Sequence, residues 1–143
     1  MNKKIPEFEP AEACKICKGQ CCKHMGCHFS PEDFEEISFE HLKSKIEEGY
    51  ISIDWWDEND GTCSYYLRMR HVGKQVIDPS WGGRCMLLTD EGCPLPFEQR
   101  PLGARSLEPR RNAACIVHYS KEQCINDWKK HEALLIALFE YFT

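Results

Sequence analysis

Ten cysteines among 143 residues are the groups in this chain best suited to chemistry, and five of them fall in one run, Cys14-Lys-Ile-Cys17-Lys-Gly-Gln-Cys21-Cys22-Lys-His-Met-Gly-Cys27-His28. A thiolate is a soft ligand, and two thiolates separated by two residues can grip one ion from a single turn, which is why that spacing recurs at zinc and iron sites. Cys14 and Cys17 have it. Cys21 and Cys22 are neighbours whose side chains project in different directions, so they serve two ions, or two corners of one cluster, rather than one buried patch. Farther along, Cys85 and Cys93 flank an Asp90-Glu91-Gly92 turn that can bring both thiols to one ion. Cys115 and His118 form another short chelating pair, with a satisfied loop or strand histidine as the competing reading of His118. His24 and His28 lie where cysteines already crowd the chain. Cys63, placed in a turn, and Cys124, on the inward stripe of a helix, read as packing residues, because a lone thiol behaves as a small hydrophobe.

Composition says what such ligands are needed for. Only 30 of the 143 residues are Leu, Ile, Val or Phe, just above the level of roughly 20% at which disorder becomes the default. A supplement to the apolar core is therefore expected. The longest clean apolar run, Ala133 to Phe139, is far short of the roughly 18 residues a membrane span requires. The opening Met-Asn-Lys-Lys-Ile-Pro-Glu-Phe-Glu-Pro places acids and prolines where a signal peptide needs apolar residues. The expected location is cytoplasmic, where thiols do not persist as disulfides and dense cysteine points to metal or catalysis. A net charge of −5, from 18 basic and 23 acidic residues, argues against general nucleic-acid binding, which takes a basic surface. No phosphate-cradling glycine loop, Ser/His/Asp order or paired-carboxylate signal is present.

The elements that must position these groups follow from periodicity and caps. Ser30-Pro31-Glu32-Asp33 predicts a helix start, with a serine cap, proline at the first position and acids in the first turn. Ser38 predicts a second short helix carrying Leu42 and Ile46 and closed by Gly49. Tyr50 to Trp56 and Tyr65 to Arg70 alternate like half-buried strands joined through Asp57–Gly61 as a long hairpin. Pro79 to Pro109 reads as loops with one helical turn. The capping box Ser120-Lys-Glu-Gln123 opens the longest helix, running to about Tyr141. The expected architecture is α+β: a small, loop-rich, metal-stabilised single domain spanning 1–143, with a β-hairpin and a long C-terminal helix.

The run Cys14-x2-Cys17-x3-Cys21-Cys22, followed by Cys85, Asp90-Glu91-Gly92-Cys93 and Arg100-Pro101-Leu102-Gly103-Ala104-Arg105, resembles the CxxCxxCC cysteine-cluster family, also called YkgJ-like and described as zinc- or iron-chelating. The resemblance covers most of the chain. It implies a metal centre built by Cys14, Cys17, Cys21 and Cys22 together with Cys85 and Cys93, and it supplies a ligand set without a reaction. One internal gap is a residue longer than the family name specifies. Ala104 stands where many members have a cysteine, which makes Cys115 or Cys27 the substitute ligand.

The expected ligand pool is thus Cys14, Cys17, Cys21, Cys22, Cys27, Cys85, Cys93 and Cys115, enough for two four-thiolate sites or one cluster plus one zinc. Four thiolates around a divalent zinc carry a net −2, which calls for donors or counter-ions; Arg84 and Arg105 are the expected ones. The leading expectation is a metalloprotein whose zinc is structural or auxiliary, and not an enzyme, with metal ions as its partners. The alternative is an iron-sulfur redox or modifying enzyme, for which an aromatic pocket around Trp55, Trp56 and Trp81 would speak. Metal storage or delivery is a third reading. Cys17-x3-Cys21-x2-His24 comes within a residue of a radical-enzyme motif, but with histidine in its third place.

Overall fold

The computed structural model describes residues 5–8, 27–70, 75–77, 85–87, 89, 93–108 and 116–143. Cys14, Cys17, Cys21, Cys22, Cys115, His24, Trp81 and Arg84 lie outside the described residues. The predicted hairpin is present: β1 (Ile51–Asp57) pairs antiparallel with β2 (Cys63–Met69), in register from Ile51 opposite Met69 to Asp57 opposite Cys63. Gly61 takes a φ of 86° at the turn, and the Thr62 amide and hydroxyl both donate to Asp60 Oδ1, at 3.0 and 2.6 Å. This tight closure starts the return strand early. Cys63 is therefore the first residue of β2 and not a turn residue, and its thiol donates to Asp57 Oδ1 at 3.3 Å.

The hairpin is widened on both edges. On the β2 side, residues 27–29 run antiparallel to it, with Phe29 N donating to Leu67 O and Met69 N to Cys27 O, at 2.9 and 2.7 Å. On the β1 side, Ile53 N donates to Val76 O at 2.6 Å and the Ser52 hydroxyl to Gln75 O at 2.6 Å. Both faces of the hairpin are buried over most of its length, with helices packed against it. Ile51, Ile53, Leu67 and Met69 form one face, and Ser52, Asp54, Tyr66 and Arg68 the other.

The second face contains charge in a dry place. Asp54 Oδ2 accepts from Tyr66 Oη at 2.7 Å and from Arg68 Nε at 2.8 Å, and Asp54 Oδ1 accepts from Trp55 N at 2.6 Å. Asp54 is fully buried and Arg68 is 1% exposed. Loss of water pushes the Asp54 carboxyl above the usual carboxylate range, against the pull of Tyr66, Arg68 and Trp55. The pair is thus a strict geometric constraint with little net stability to give.

Helices close the fold. Ser30 caps as predicted, with its hydroxyl accepting from Glu32 N and Asp33 reaching back to Ser30 N, but the helix is a single 3-10 turn, Pro31–Asp33. Phe34 leaves it in extended conformation. Ser38 caps α1 (Phe39–Glu47), which buries Leu42 and Ile46 and ends before Gly49, whose φ is 101°. In the Pro- and Gly-rich stretch, a 3-10 turn (Phe97–Gln99) leads to α2 (Leu102–Arg105) and to β3 (Leu107–Glu108), paired with β4 (Ile116–Val117). The predicted Ser120/Gln123 capping box opens α3 (Lys121–Trp128); a 3-10 turn at Lys129–His131 then joins it to α4 (Glu132–Phe142). Cys124, Trp128, Leu135 and Leu138 are fully buried along this helical run. The fold is α+β, with a hairpin and a long C-terminal helical segment.

Tyr66 and Tyr119 are buried phenols, and Cys124 is a buried thiol. Desolvation first, then the charges of Asp54 and Cys124 respectively, pushes both phenols far above their ordinary value; desolvation raises Cys124 likewise. These groups keep their protons when folded and lose them when unfolded, above about pH 8.5 for the thiol and about 10 for the phenols. The stability they contribute is complete below those values and is lost as pH rises beyond them. Urea melts should show stability falling from about pH 9, by about 1.4 kcal/mol per pH unit for each group titrating only in the unfolded state, with a shallower fall in Cys124→Ala between pH 9 and 10. A second prediction concerns the buried pair. Arg68→Met alone should cost about 3–5 kcal/mol, whereas Asp54→Leu combined with Arg68→Met should recover most of that loss in the same melts.

Candidate functional site

Two of the described cysteines, Cys27 and Cys85, lie in segments attached near one end of β2. Cys27 is buried and is the only non-glycine residue with positive φ among the described residues, at 68°. For an L-residue this conformation costs about 1–2 kcal/mol, and it persists only where the surroundings over-determine it. They do so here. Cys27 O is held by Met69 N. His28, fully buried, stacks on Tyr119 at 5.2 Å with an interplanar angle of 10° and directs its Nε2 at Tyr119 O. Gly103 N donates to His28 O at 3.0 Å, and a β-carbon at Gly103 would stand 2.5 Å from His28 Nδ1. Only glycine allows α2 so close. Phe29 O accepts from Trp128 Nε1 at 2.8 Å and from the Cys124 thiol at 3.4 Å.

Cys85 is also buried, and the amide of the next residue, Met86, donates to Arg70 O at 2.9 Å. Cys27 and Cys85 thus hang on consecutive residues, Met69 and Arg70, at the end of β2. Cys93 is half-buried. Its carbonyl accepts from Arg100 Nη2 at 3.2 Å, and the same guanidinium donates through Nε to Leu95 O at 3.0 Å. Arg100 therefore shapes the chain around Cys93. Arg70, which sequence reasoning passed over, donates to Ile51 O at 2.8 Å and pins the start of β1 to the end of β2, while its buried Nε has no hydrogen-bond partner among the described residues. Its position at the end of the alternating Tyr65 to Arg70 run was the available signal.

Other expectations are redirected. Arg105 does not serve thiolates within the described structure; its Nη1 donates to Asp33 Oδ1 at 2.8 Å, its Nε to Glu7 Oε1 at 2.8 Å, and it also donates to Arg100 O. Asp33 in turn accepts from Ser30 N and Leu102 N, both at 2.9 Å, so that one carboxylate joins the Ser30 turn to α2. The acid was available in the Ser30 capping box. His118 pairs with Glu108 Oε1 at 3.1 Å and stacks on Phe8 at 5.2 Å, while His28 is held in the core. Trp55 packs on Phe139 at 5.5 Å, and Trp56 lies under Lys121 Nζ at 2.8 Å from the ring centroid. Successive strand residues face opposite ways, so these two tryptophans line no common pocket. Cys124 is a packing thiol, as its helical position predicted.

Cys27, Cys85 and Cys93 are the candidate ligands within the described residues; among these residues, no three His, Cys, Asp or Glu groups gather as a metal cluster. Nor does any described helix have the length and apolar character to cross a membrane. No protein-family model, characterised protein or solved structure matches the chain.

Arg105→Ala should lower stability by about 2 kcal/mol in urea melts by stranding the Asp33 carboxylate, with Arg105→Lys restoring only part because a lysine cannot span the same acceptors. The metal content of the folded variant should match that of the parent. Metal loss at unchanged stability would return Arg105 to the thiolates.

Proposed function

We propose that this protein is a cysteine-cluster metalloprotein, of the zinc- or iron-chelating kind that its cysteine spacing resembles. Its metal ties the N-terminal cysteine run to the Cys85 and Cys93 segment. Cys14, Cys17, Cys21, Cys22, Cys27, Cys85, Cys93 and Cys115 are the ligand pool. Zinc is the proposed ion because closed thiolate sites are its usual structural use, and the role is structural or auxiliary rather than catalytic. A reducing, cytoplasmic setting keeps such thiols available.

The observation that carries this reading is Cys27. A buried cysteine held at a φ of 68° and bonded to the last residue of β2, with the Cys85 segment attached at the next residue, carries a backbone cost that glycine would not. A ligand role would give that held conformation a use, since it fixes the direction in which the thiolate points. The adjacent Cys21 and Cys22 support an iron-sulfur cluster as the second reading, because adjacent thiols suit two corners of one cluster.

Anaerobic purification with elemental analysis and a visible spectrum separates the two. A colourless protein with near-integral zinc is the expected result; iron with sulfide and broad visible absorption selects the second reading. Cys27→Gly tests the ligand role itself. It relieves the left-handed strain but empties the space of a buried thiol, so a packing residue predicts unchanged metal content with a small net change in stability. A ligand predicts lower metal content and a lower melting temperature in both Cys27→Gly and Cys27→Ser. Full metal occupancy in a folded Cys27→Gly protein would overturn the role of Cys27.

A further inference from the structure

A groove of about 950 Å³ lies beside the Cys93 segment and has no part in the metal reading. Its apolar wall includes Phe29, Phe34, Tyr50, Leu87, Leu95 and Phe97. Phe29 belongs to the strand beside β2, Phe34 follows the Ser30 turn, Tyr50 precedes β1, and the other three come from the Cys85–Gln99 region. No two of these elements alone could form it. Tyr50 is 48% exposed, among the largest apolar side chains left facing water.

The rim gives the groove a sign. Among the described residues, six carboxylates line it against three cations, for a net charge of −3 over those nine side chains. The cations are already engaged. Arg105 holds Asp33 and Glu7, Lys45 lies 3.7 Å from Glu48, and Arg100 is turned onto the carbonyls of Cys93 and Leu95. Glu32, Glu35 and Glu98 remain, exposed and without an ion pair among the described residues. Aromatic anchors within an uncompensated acidic border complement a chain carrying both basic and apolar side chains, and they repel nucleic acid and anionic lipid headgroups.

The form of the groove selects between a small ligand and a chain. Small-molecule sites enclose most of their ligand. Here Glu32, Glu35, Glu48, Tyr50, Glu98 and Gln99 are all exposed, so the described rim of the groove faces water. We infer that it is a docking surface for a partner protein, which it engages through a segment alternating lysine or arginine with large apolar side chains. The apolar residues lie on Phe34, Leu95 and Phe97, and the basic residues face Glu32, Glu35 and Glu98. This inference stands apart from the metal: it needs the groove, which metal-free protein that remains folded would retain.

The probe is a fluorescein-labelled twelve-residue peptide alternating Lys with Leu and Phe, titrated by anisotropy into the full chain at physiological salt. Two comparison peptides carry Glu for each Lys, or Ser for each apolar residue. The Lys/Leu/Phe peptide is expected to bind, and both comparison peptides to bind about tenfold or more weakly. Glu35→Lys with Glu98→Lys should weaken binding by about tenfold, because two exposed pairs become repulsions. Glu122→Lys with Glu140→Lys, which changes net charge equally on the C-terminal helices, should leave it within about twofold. Phe97→Ala, at a half-buried position on a short 3-10 turn, should weaken it without altering circular dichroism. Equal losses in both charge-reversed variants would reduce the effect to net charge and overturn the inference. So would undiminished binding of the serine peptide. Concentration-dependent dimerisation in light scattering, abolished by Glu35→Lys with Glu98→Lys, would assign the groove to a second copy of the chain instead.

Discussion

The rest of the structure hangs on the backbone of four residues, Cys27 to Ser30. Their polar groups are met by β2 through Leu67 and Met69, by α2 through Gly103, by α3 through Trp128 and Cys124, and by the Tyr119 carbonyl at the entrance to α3. A buried backbone group without a partner costs about as much as a lost hydrogen bond. Displacing this segment would therefore orphan donors in three elements at once. It is the common wall against which the hairpin, the short central helix and the C-terminal helices are registered. The strain at Cys27 is borne by this saturation of partners, and a segment less thoroughly held would relax into extended conformation.

The Asp54, Tyr66 and Arg68 network plays a different part. Hydrophobic contacts fix a distance loosely, whereas a carboxylate meeting a phenol, a guanidinium and an amide within 2.6 to 2.8 Å fixes a register. A one-residue slip of the hairpin would turn Asp54 and Arg68 onto the apolar face and leave both charges unpaired. In a chain with so few branched aliphatic residues, uniqueness rests on such polar geometry as much as on buried area. This accounts for the burial of both hairpin faces despite the polar residues on one of them.

The local elements were legible because local chemistry dictates them. Ser38, Ser120 and Gln123 cap the helices they were expected to cap, and the alternation from Tyr50 and from Tyr65 becomes the hairpin. The length of the Ser30 helix was not legible: a capping box starts a helix, but Phe34 is drawn toward Phe29 and Trp128, at 5.2 and 6.0 Å between ring centroids, and the chain extends. The role of Arg105 was hidden for a related reason. Asp33 lies 72 residues away in sequence, and no periodicity reports a contact at that separation. For the candidate site, spacing pointed to cysteines, and among the described ones the Cys27 and Cys85 segments both attach near one end of β2. The left-handed backbone of Cys27 had no sequence signal, since that conformation is ordinarily marked by glycine or asparagine.

The hydrogen bonds that hold residues 28 and 29 span 91, 95 and 99 positions of the chain. During synthesis, at about 5–20 residues per second, the cysteine-rich run would therefore emerge roughly 5–20 s before the residues that anchor its far end. For that interval its thiols stand outside any folded frame, open to any metal, oxidant or thiol-binding protein at hand. The order in which the chain is made thus sets a chemical hazard of its own, and rapid capture of the run by a metal carrier would shorten it.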